Sequence, residues 1–435
     1  MRLDSITRRL ANHPALSDAI SRIDGVAVWQ SLAFEARPLL VAASYLAHPR
    51  KLLVVANTYD RVLQWQARLA MAGIPADQIR VLPSGLSVLF EDASPETVAL
   101  SDRIGALRFL VQSGPGVIIA TPQAALERTL PRDVLETMFV SVSAGETIDS
   151  DKTVDGLRLL GYEPSEPVRV PGQYSRRGGI IDIFPMGADR PVRIELFDDQ
   201  VESLRSFDPM SQRSIGAVKT LTIAPSRETI LPGPQSGIAE MLEHTLQIEA
   251  SQLPDEAAKL LEEMVHSDRQ SIERRIYFDR LDLYRPLTQP DSECAVDLVG
   301  DENTVVLDEP FELEATASRS EEELGQALEA RANRGEILKS TAHDYMLPPE
   351  HLGRASQTMA LTAMDSAPAW IHADHLHQFH AVSLESYRGQ AHALTQALQN
   401  WLKEGVSVFM GTDQPMRSKS VLAQVEIFPT EADLE

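Results

Sequence analysis

The fold of the middle of the chain is decided by residues 175–199, SRRGGIIDIFPMGADRPVRIELFDD, because apolar and polar side chains alternate there. Ile181 and Ile183 fall on one face of an extended segment, and Asp182 and Phe184 fall on the other. The alternation resumes after the loop PMGADRP, with two sets of residues on opposite faces: Val192, Ile194 and Leu196 against Arg193, Glu195 and Phe197. The turn DDQ then leads into VESLRSF. This period of two predicts an antiparallel meander with one buried and one partly polar face.

The charges of this region have an unusual composition. Residues 161–213 contain seven arginines, nine acidic residues and no lysine. Both signs are therefore interspersed, which does not fit a stripe that binds phosphates. Arginine without lysine favours planar, bidentate pairing with carboxylates, as in protein interfaces. The alternative is that the arginines only solvate the sheet and discourage strand pairing at its edges.

The flanking sequence repeats a strand followed by a helix. Residues 51–70, KLLVVANTYDRVLQWQARLA, begin with an apolar run of strand length and continue with helical spacing. The same order returns at IRVLPS from Ile79 and at GPGVIIATPQAALERTLP from Gly114. The uninterrupted Val-Ile-Ile run is typical of a strand buried on both faces. The pattern predicts a parallel α/β sheet.

A nucleotide site in such a sheet needs a glycine-rich loop with a lysine before a helix. The corresponding segment, GVAVWQSLAFEARPLL from Gly25, instead places Trp29, Phe34 and Glu35 there. Further along, TVVLDEP ends in Asp308 and Glu309, an acidic pair similar to the magnesium-binding pair of ATPases. Without a phosphate loop we interpret the pair as solvated carboxylates in a strand-end turn. We therefore expect no ATP hydrolysis and no cofactor.

The composition limits the remaining possibilities. A chain of 435 residues with 43% hydrophobic residues is long enough for about three domains. Its net charge of −23 disfavours general DNA binding. One cysteine, Cys294, excludes a disulfide framework and a thiolate metal cluster, and we expect it to be a buried apolar residue. No apolar run is long enough for a signal peptide or a membrane span, so we expect a cytoplasmic protein. We also expect a monomer.

Two features near the C-terminus have alternative interpretations. Residues 372–380, HADHLHQFH, could place histidine pairs such as His372/His375 or His377/His380 on one helical face and bind zinc. We interpret the segment instead as a linker between domains, without a metal. After it, a helix is predicted to end at Gly405, and Val406, Val408 and Phe409 are predicted to begin a buried strand.

Residues 161–215 closely resemble domain 2 of the bacterial transcription-repair coupling factors, which UvrB shares. The matching positions are Gly161, Tyr162, Gly172, Arg177, Gly178, Asp182, Ile183, Phe184, Pro185, Arg193, Glu195, Phe197, Glu202, Ser203, Arg205, Phe207, Asp208, Gln212, Arg213 and Ser214. The likeness extends to VLPSGLSVLFEDASPETVALSDRIGALRFL from Val81, ATPQAAL, DLYRPL, VVLDEP and LKEGVSVFMGTDQPMRSKSVLAQVEI. It covers nearly the whole chain.

The resemblance implies a module that carries no ATPase and recruits UvrA through its second domain. Arg177 and Phe184 match the important arginine and aromatic residue of that surface, with Arg193 and Arg205 on neighbouring strands. Many relatives have an arginine where Glu163 stands here. The family continues with a polymerase-binding domain, two motor domains and an inhibitory domain, through which RNA polymerase and DNA are bound. We expect either a fragment or a free-standing relative with a permanently exposed UvrA site.

The combined prediction is a multidomain α/β protein. A degenerate RecA-like domain without a phosphate loop is expected in residues 1–154 and 223–345, with an antiparallel UvrA-interaction domain inserted at 155–222. Residues 346–435 are expected to form a small flavodoxin-like α/β domain that acts as a scaffold. The predicted function is recruitment of UvrA in transcription-coupled repair. The alternatives are a UvrB-like ATP-dependent enzyme that binds damaged DNA, and an inert scaffold.

Overall fold

The computed structural model describes residues 3–21, 24–86, 97–233, 236–384, 386–412 and 414–430. Residues 87–96, part of the motif that begins at Val81, lie outside the described residues. Within the described ranges, the strands form one parallel sheet, one antiparallel sheet and a two-stranded ribbon. The predicted mixed α/β architecture is confirmed.

The strands are numbered in chain order. They are β1 Val26–Leu32, β2 Lys51–Val55, β3 Ile79–Leu82, β4 Gly116–Ala120, β5 Val140–Ser143, β6 Glu163–Pro164, β7 Gln173–Arg177, β8 Ile180–Ile183, β9 Val192–Phe197, β10 Gln200–Phe207, β11 Ser214–Ala217, β12 Thr220–Ile223, β13 Thr304–Asp308, β14 Thr358–Leu361 and β15 His375–Ala381.

The α-helices of the described ranges are numbered in the same way. They are α1 Asp4–Ala11, α2 Ser17–Ser21, α3 Arg37–Ala47, α4 Tyr59–Met71, α5 Thr97–Val111, α6 Pro122–Leu126, α7 Arg132–Thr137, α8 Ser150–Leu159, α9 Ile238–Ala250, α10 Asp255–Glu273, α11 Arg285–Thr288, α12 Ala295–Val299, α13 Pro310–Asn333, α14 Ala391–Lys403 and α15 Pro415–Ala423. None of these helices combines the length and the apolar character that crossing a bilayer requires.

The parallel sheet has the strand order β15-β1-β14-β13-β2-β4-β3 among the described residues. Its central strands are buried on both faces. Leu53 and Val55 of β2 enter one hydrophobic cluster, and Leu52 and Val54 enter the cluster on the other face. Every residue of β4 is likewise buried, as the uninterrupted apolar run predicts.

The antiparallel sheet has the order β11-β10-β9-β8-β7-β6. Its core side contains the predicted apolar set, with Ile181, Ile183, Val192 and Ile194 in one cluster. Helix α8 packs Val154 into that cluster. β5, which precedes the antiparallel sheet in the chain, pairs with β12, which follows it, and the two strands form the ribbon. β5 lies before residue 155, the predicted start of the inserted domain, and pairs with a strand at the predicted end of that domain.

Two contacts fix the inserted unit on the parallel-sheet unit. A Cβ on Gly187, in the loop between β8 and β9, would lie 2.7 Å from the Cα of Gly105 in α5. The Gly187 amide also donates to Ser101 Oγ at 2.9 Å. A buried ion-pair cluster adds to this contact, because Arg103 of α5 pairs with Glu228, which follows β12, and with Glu127 at 3.2 Å.

The predicted limit between residues 345 and 346 does not coincide with the sheet. β14 pairs with β13 and β1, and β15 pairs with β1, so both strands belong to the parallel sheet. Residues 375–380 of the histidine segment lie in β15, which is an edge strand among the described residues and not a linker. Because side chains alternate along a strand, His375 and His377 share a side, and His377 and His380 do not share the helical face considered as the alternative.

The end of the described chain corrects another prediction. Helix α14 ends as predicted, and Gly405 follows with a φ of 78°. However, the run from Val406 to Met410 forms no strand within the described residues, and Val406 and Phe409 are exposed. An apolar run becomes a strand only beside a partner strand, and the described residues provide none at this position.

Candidate protein-binding face

The antiparallel sheet brings three of the four predicted site residues to one side. Arg193 of β9 lies opposite Asp182 of β8 and Arg205 of β10. Arg177 of β7 lies opposite Ile180 of β8, two residues before Asp182. Residues opposite one another on neighbouring strands point to the same side of a sheet. We call this side the outer face and define it by Arg177, Ile180, Asp182, Arg193, Glu195, Phe197 and Arg205.

Arg193 is committed to an internal ion pair. Its Nε and Nη2 donate to the two carboxylate oxygens of Asp182 at 2.7 and 2.8 Å. Its guanidinium also lies 5.0 Å from the centre of the Phe207 ring. The hydrogen bonds to Asp182 raise the pKa of Arg193, since they stabilise its charged form. Bidentate pairing with a buried carboxylate indicates a structural role.

Arg177 and Arg205 are held more loosely. Their side chains are 51% and 53% exposed, respectively. Arg177 Nε lies 2.9 Å from Glu166 Oε1, and Arg205 Nε lies 3.7 Å from Glu195 Oε2. Exposed pairs of this kind contribute little to folding. Both guanidinium groups can therefore reach a partner, and the predicted mixture of both signs is confirmed.

The structure places the predicted aromatic residue in the interior. Phe184 is only 6% exposed and packs with Val168 and Phe207 in a small cluster. In contrast, Phe197, at the end of β9, is 71% exposed. The exposed aromatic side chain of the outer face is therefore Phe197, which sequence reasoning did not select. The sequence places Phe197 on the same face as Arg193, and this position could have indicated an exposed aromatic residue.

Two hairpin turns meet beside Arg177 and Phe197. One turn contains Gly178 and Gly179, and the other contains Asp198, which has a φ of 52°. The Leu196 amide donates to the Gly179 carbonyl at 2.7 Å. A Cβ on Gly179 would lie 2.8 Å from the Leu196 carbonyl oxygen, so glycine is needed for this approach. The contact holds the exposed ends of β7 to β10 together.

Glu163 lies in β6, at the edge of the same sheet. Its amide donates to the Gly172 carbonyl at 2.9 Å, and its side chain is exposed. β6 runs parallel to β7, with Glu163 opposite Gln173. Glu163 and Glu166 therefore both come from the segment that borders the Arg177 strand.

The acidic pair of the parallel sheet differs from the prediction. Asp308 is 1% exposed and is not a solvated carboxylate. It accepts a hydrogen bond from Trp65 Nε1 at 2.8 Å and pairs with Arg61 at 3.0 Å. Arg37 donates to both Asp308 and Glu309. Arg37 also donates through Nε to the Leu32 carbonyl at 2.9 Å.

Arg37 has a notable position in the fold. It is the first residue of α3, directly after the loop that follows β1. In nucleotide-binding sheets this loop holds the phosphates, and the acidic strand end holds their magnesium. Here a guanidinium from the chain itself compensates the two carboxylates. The arrangement satisfies the acidic pair without a bound cation.

Cys294 is fully buried, as predicted. It is the N-cap residue of α12, and its amide donates to Asp297 at 2.9 Å. His351 Nε2 lies 2.7 Å from Asp297, and the three side chains form the one group of potential metal ligands within the described ranges. Burial raises the pKa of the Cys294 thiol. A protonated thiol in a helix cap is a structural residue.

Comparison with known proteins identifies the inserted unit. The family described as UvrB interaction domain matches residues 140–228, from the first residue of β5 to just beyond β12. This range contains the whole antiparallel sheet and the ribbon.

The same comparison shows relatives along more of the chain. The chain is 28% identical over 352 residues to the transcription-repair-coupling factor of Bacillus subtilis, and this match covers 77% of the chain and 29% of that protein. The chain is 36% identical over 160 residues to the transcription-repair-coupling factor of Myxococcus xanthus, and this match covers 36% of the chain and 13% of that protein. The chain is 31% identical over 139 residues to the transcription-repair-coupling factor of Escherichia coli, and this match covers 32% of the chain and 12% of that protein. The chain is thus similar to transcription-repair coupling factors and spans less than a third of their length.

Proposed function

We propose that this chain recruits UvrA through the outer face and thereby contributes to transcription-coupled nucleotide excision repair. The match to a UvrB interaction domain supports a docking role for this unit. The names of the relatives describe coupling of transcription to repair. Repair of this kind acts on the bacterial chromosome, so the proposed function belongs to the cytoplasm.

The observation that carries the proposal is the exposure of Arg177, Ile180 and Phe197 at one end of the sheet. Arginine and aromatic residues dominate the binding energy of protein interfaces when a partner desolvates them. Ile180 adds apolar area beside them. Arg205 extends the face toward β11, whereas Arg193 holds Asp182 and supports the strands from within.

The test is a calorimetric titration with UvrA from the same organism. Arg177→Ala is expected to weaken binding by about 2 kcal/mol, or roughly 30-fold in Kd. The matched control is Arg176→Ala, because Arg176 is the adjacent residue on β7 but pairs with Asp151 of α8 on the other side. Equal losses for both variants, or no binding by the unmodified chain, would refute the proposed face.

We also propose that this chain hydrolyses no ATP. Arg37 supports this, because it lies against Asp308 and Glu309 where magnesium and phosphates would have to enter. A nucleotide would have to displace a buried ion pair, which is costly.

We assign contacts with DNA and RNA polymerase to parts of the relatives outside the matched residues. The net charge of −23 supports this assignment for DNA.

A further inference from the structure

The carboxylate nearest to Arg177 belongs to the chain itself. Glu166 Oε1 lies 2.9 Å from Arg177 Nε, and the Glu166 side chain is 64% exposed. The contact follows from strand pairing. β6 and β7 run in parallel, and the Ser165 amide donates to the Tyr174 carbonyl at 2.9 Å. The following residue, Glu166, is thereby brought alongside the end of β7.

This pair differs from the Arg193–Asp182 pair on the same face. Asp182 is buried and takes two hydrogen bonds from Arg193, so that carboxylate is part of the sheet. Glu166 makes one contact at the edge of Arg177 and remains open to solvent. It can therefore move away when another group approaches.

We propose that Glu166 competes with a carboxylate of the partner for Arg177 and so limits the affinity of the outer face. This inference rests on the proposed function. An incoming carboxylate must either displace Glu166 or approach the guanidinium beside a like charge. Both routes reduce the net gain from the new ion pair, and Glu163 on β6 adds a second negative charge to the same border.

The test compares two substitutions that each remove one negative charge from the inserted unit. Glu166→Gln is expected to lower the Kd for UvrA about threefold, within the range of an exposed ion pair. The control is Asp155→Asn, because Asp155 pairs with Arg158 at 3.3 Å on α8, also between exposed side chains. Helix α8 packs on the core side of the sheet, away from the outer face. The control is expected to leave the Kd unchanged.

A double-mutant cycle assigns the effect to Arg177. In an Arg177→Ala background, Glu166→Gln is expected to change nothing, because the contested cation is gone. Two results for Glu166→Gln would overturn the inference, provided that Arg177→Ala still reduces the affinity for UvrA. One is a Kd equal to that of the Asp155→Asn control, and the other is a Kd higher than that of the unmodified chain. If the unmodified chain does not bind UvrA, the proposed function fails first and this inference falls with it.

Discussion

Phe184 and Phe197 follow the same alternation in sequence but have opposite surroundings. In the sequence alternation, both positions fall on the side that carries polar residues. Val168 and Phe207, which are distant in sequence, cover Phe184, whereas Phe197 ends β9 beside a turn and stays open. A period of two identifies the side of a sheet. It does not identify which positions on that side another segment covers.

The two phenylalanines are expected to respond differently to alanine substitution. Phe197→Ala should weaken UvrA binding at least tenfold without a loss of stability, since the ring is exposed. Phe184→Ala should destabilise the fold by about 3 kcal/mol because it empties a small cluster. Urea unfolding and calorimetric titration of both variants separate these effects. A stability loss confined to Phe197→Ala would contradict the assignment.

At the scale of elements, the junction between α5 and the β8–β9 loop depends on glycine. Gly187 has a φ of 73°, and its Cα side faces Gly105 at a distance that leaves no room for a methyl group. The close approach lets Ser101 bind the Gly187 amide. The position of the inserted unit therefore depends on two residues that carry no side chain.

Gly187→Ala is expected to destabilise the chain by about 2 kcal/mol, because it adds both left-handed strain and a backbone clash. Gly216→Ala in β11 is the matched control. A Cβ there would have the Ser206 hydroxyl 4.0 Å away, and it requires no positive φ. Urea unfolding should give a lower midpoint for the first variant only. Equal midpoints would show that the contact does not constrain the junction.

The ion pairs at the end of β13 also contribute to the stability of the fold. Removing Arg37 leaves two carboxylates without their nearest cation, and one of them is buried. Arg37→Ala should therefore cost about 3 kcal/mol of unfolding free energy. Lys259→Ala removes a positive charge from an exposed pair on α10 and should change stability by less than about 0.5 kcal/mol.

The nucleotide proposal is tested on the unmodified chain. ATP with magnesium should not raise the thermal midpoint of the unmodified chain, because the acidic pair already has its cation. A clear upward shift, or an Arg37→Ala variant as stable as Lys259→Ala, would contradict the role given to Arg37. Stabilisation by a ligand follows directly from binding to the folded state.

Elements were predictable from the sequence where local periodicity determines them. The meander around Ile181 and Ile194 and the buried strand β4 both follow from side-chain spacing. The sequence did not reveal features set by distant residues. Arg37 reaches Asp308 across 271 positions, and β15 joins the sheet through β1. The apolar run from Val406 fails for a related reason, because strand formation requires a neighbour that spacing alone cannot supply.

At the scale of the whole molecule, two sheets serve different purposes. The central strands of the parallel sheet are buried on both faces, and internal ion pairs engage the acidic residues at the end of β13. The antiparallel sheet buries one side and exposes Arg177, Arg205 and Phe197 on the outer face. The buried cluster of Arg103, Glu127, Glu228 and Arg285 connects the two units. The parallel-sheet unit thus supports the antiparallel sheet on which the outer face lies.

Recruitment of UvrA by the outer face is best tested by hydrogen–deuterium exchange in the presence and absence of UvrA. We expect new protection at the exposed ends of β7 to β10, in peptides that contain residues 176–180 and 197–200. Peptides of α14 and α15 should exchange at unchanged rates. Protection confined to other parts of the chain, or none at saturating UvrA, would contradict the claim that the outer face recruits this partner.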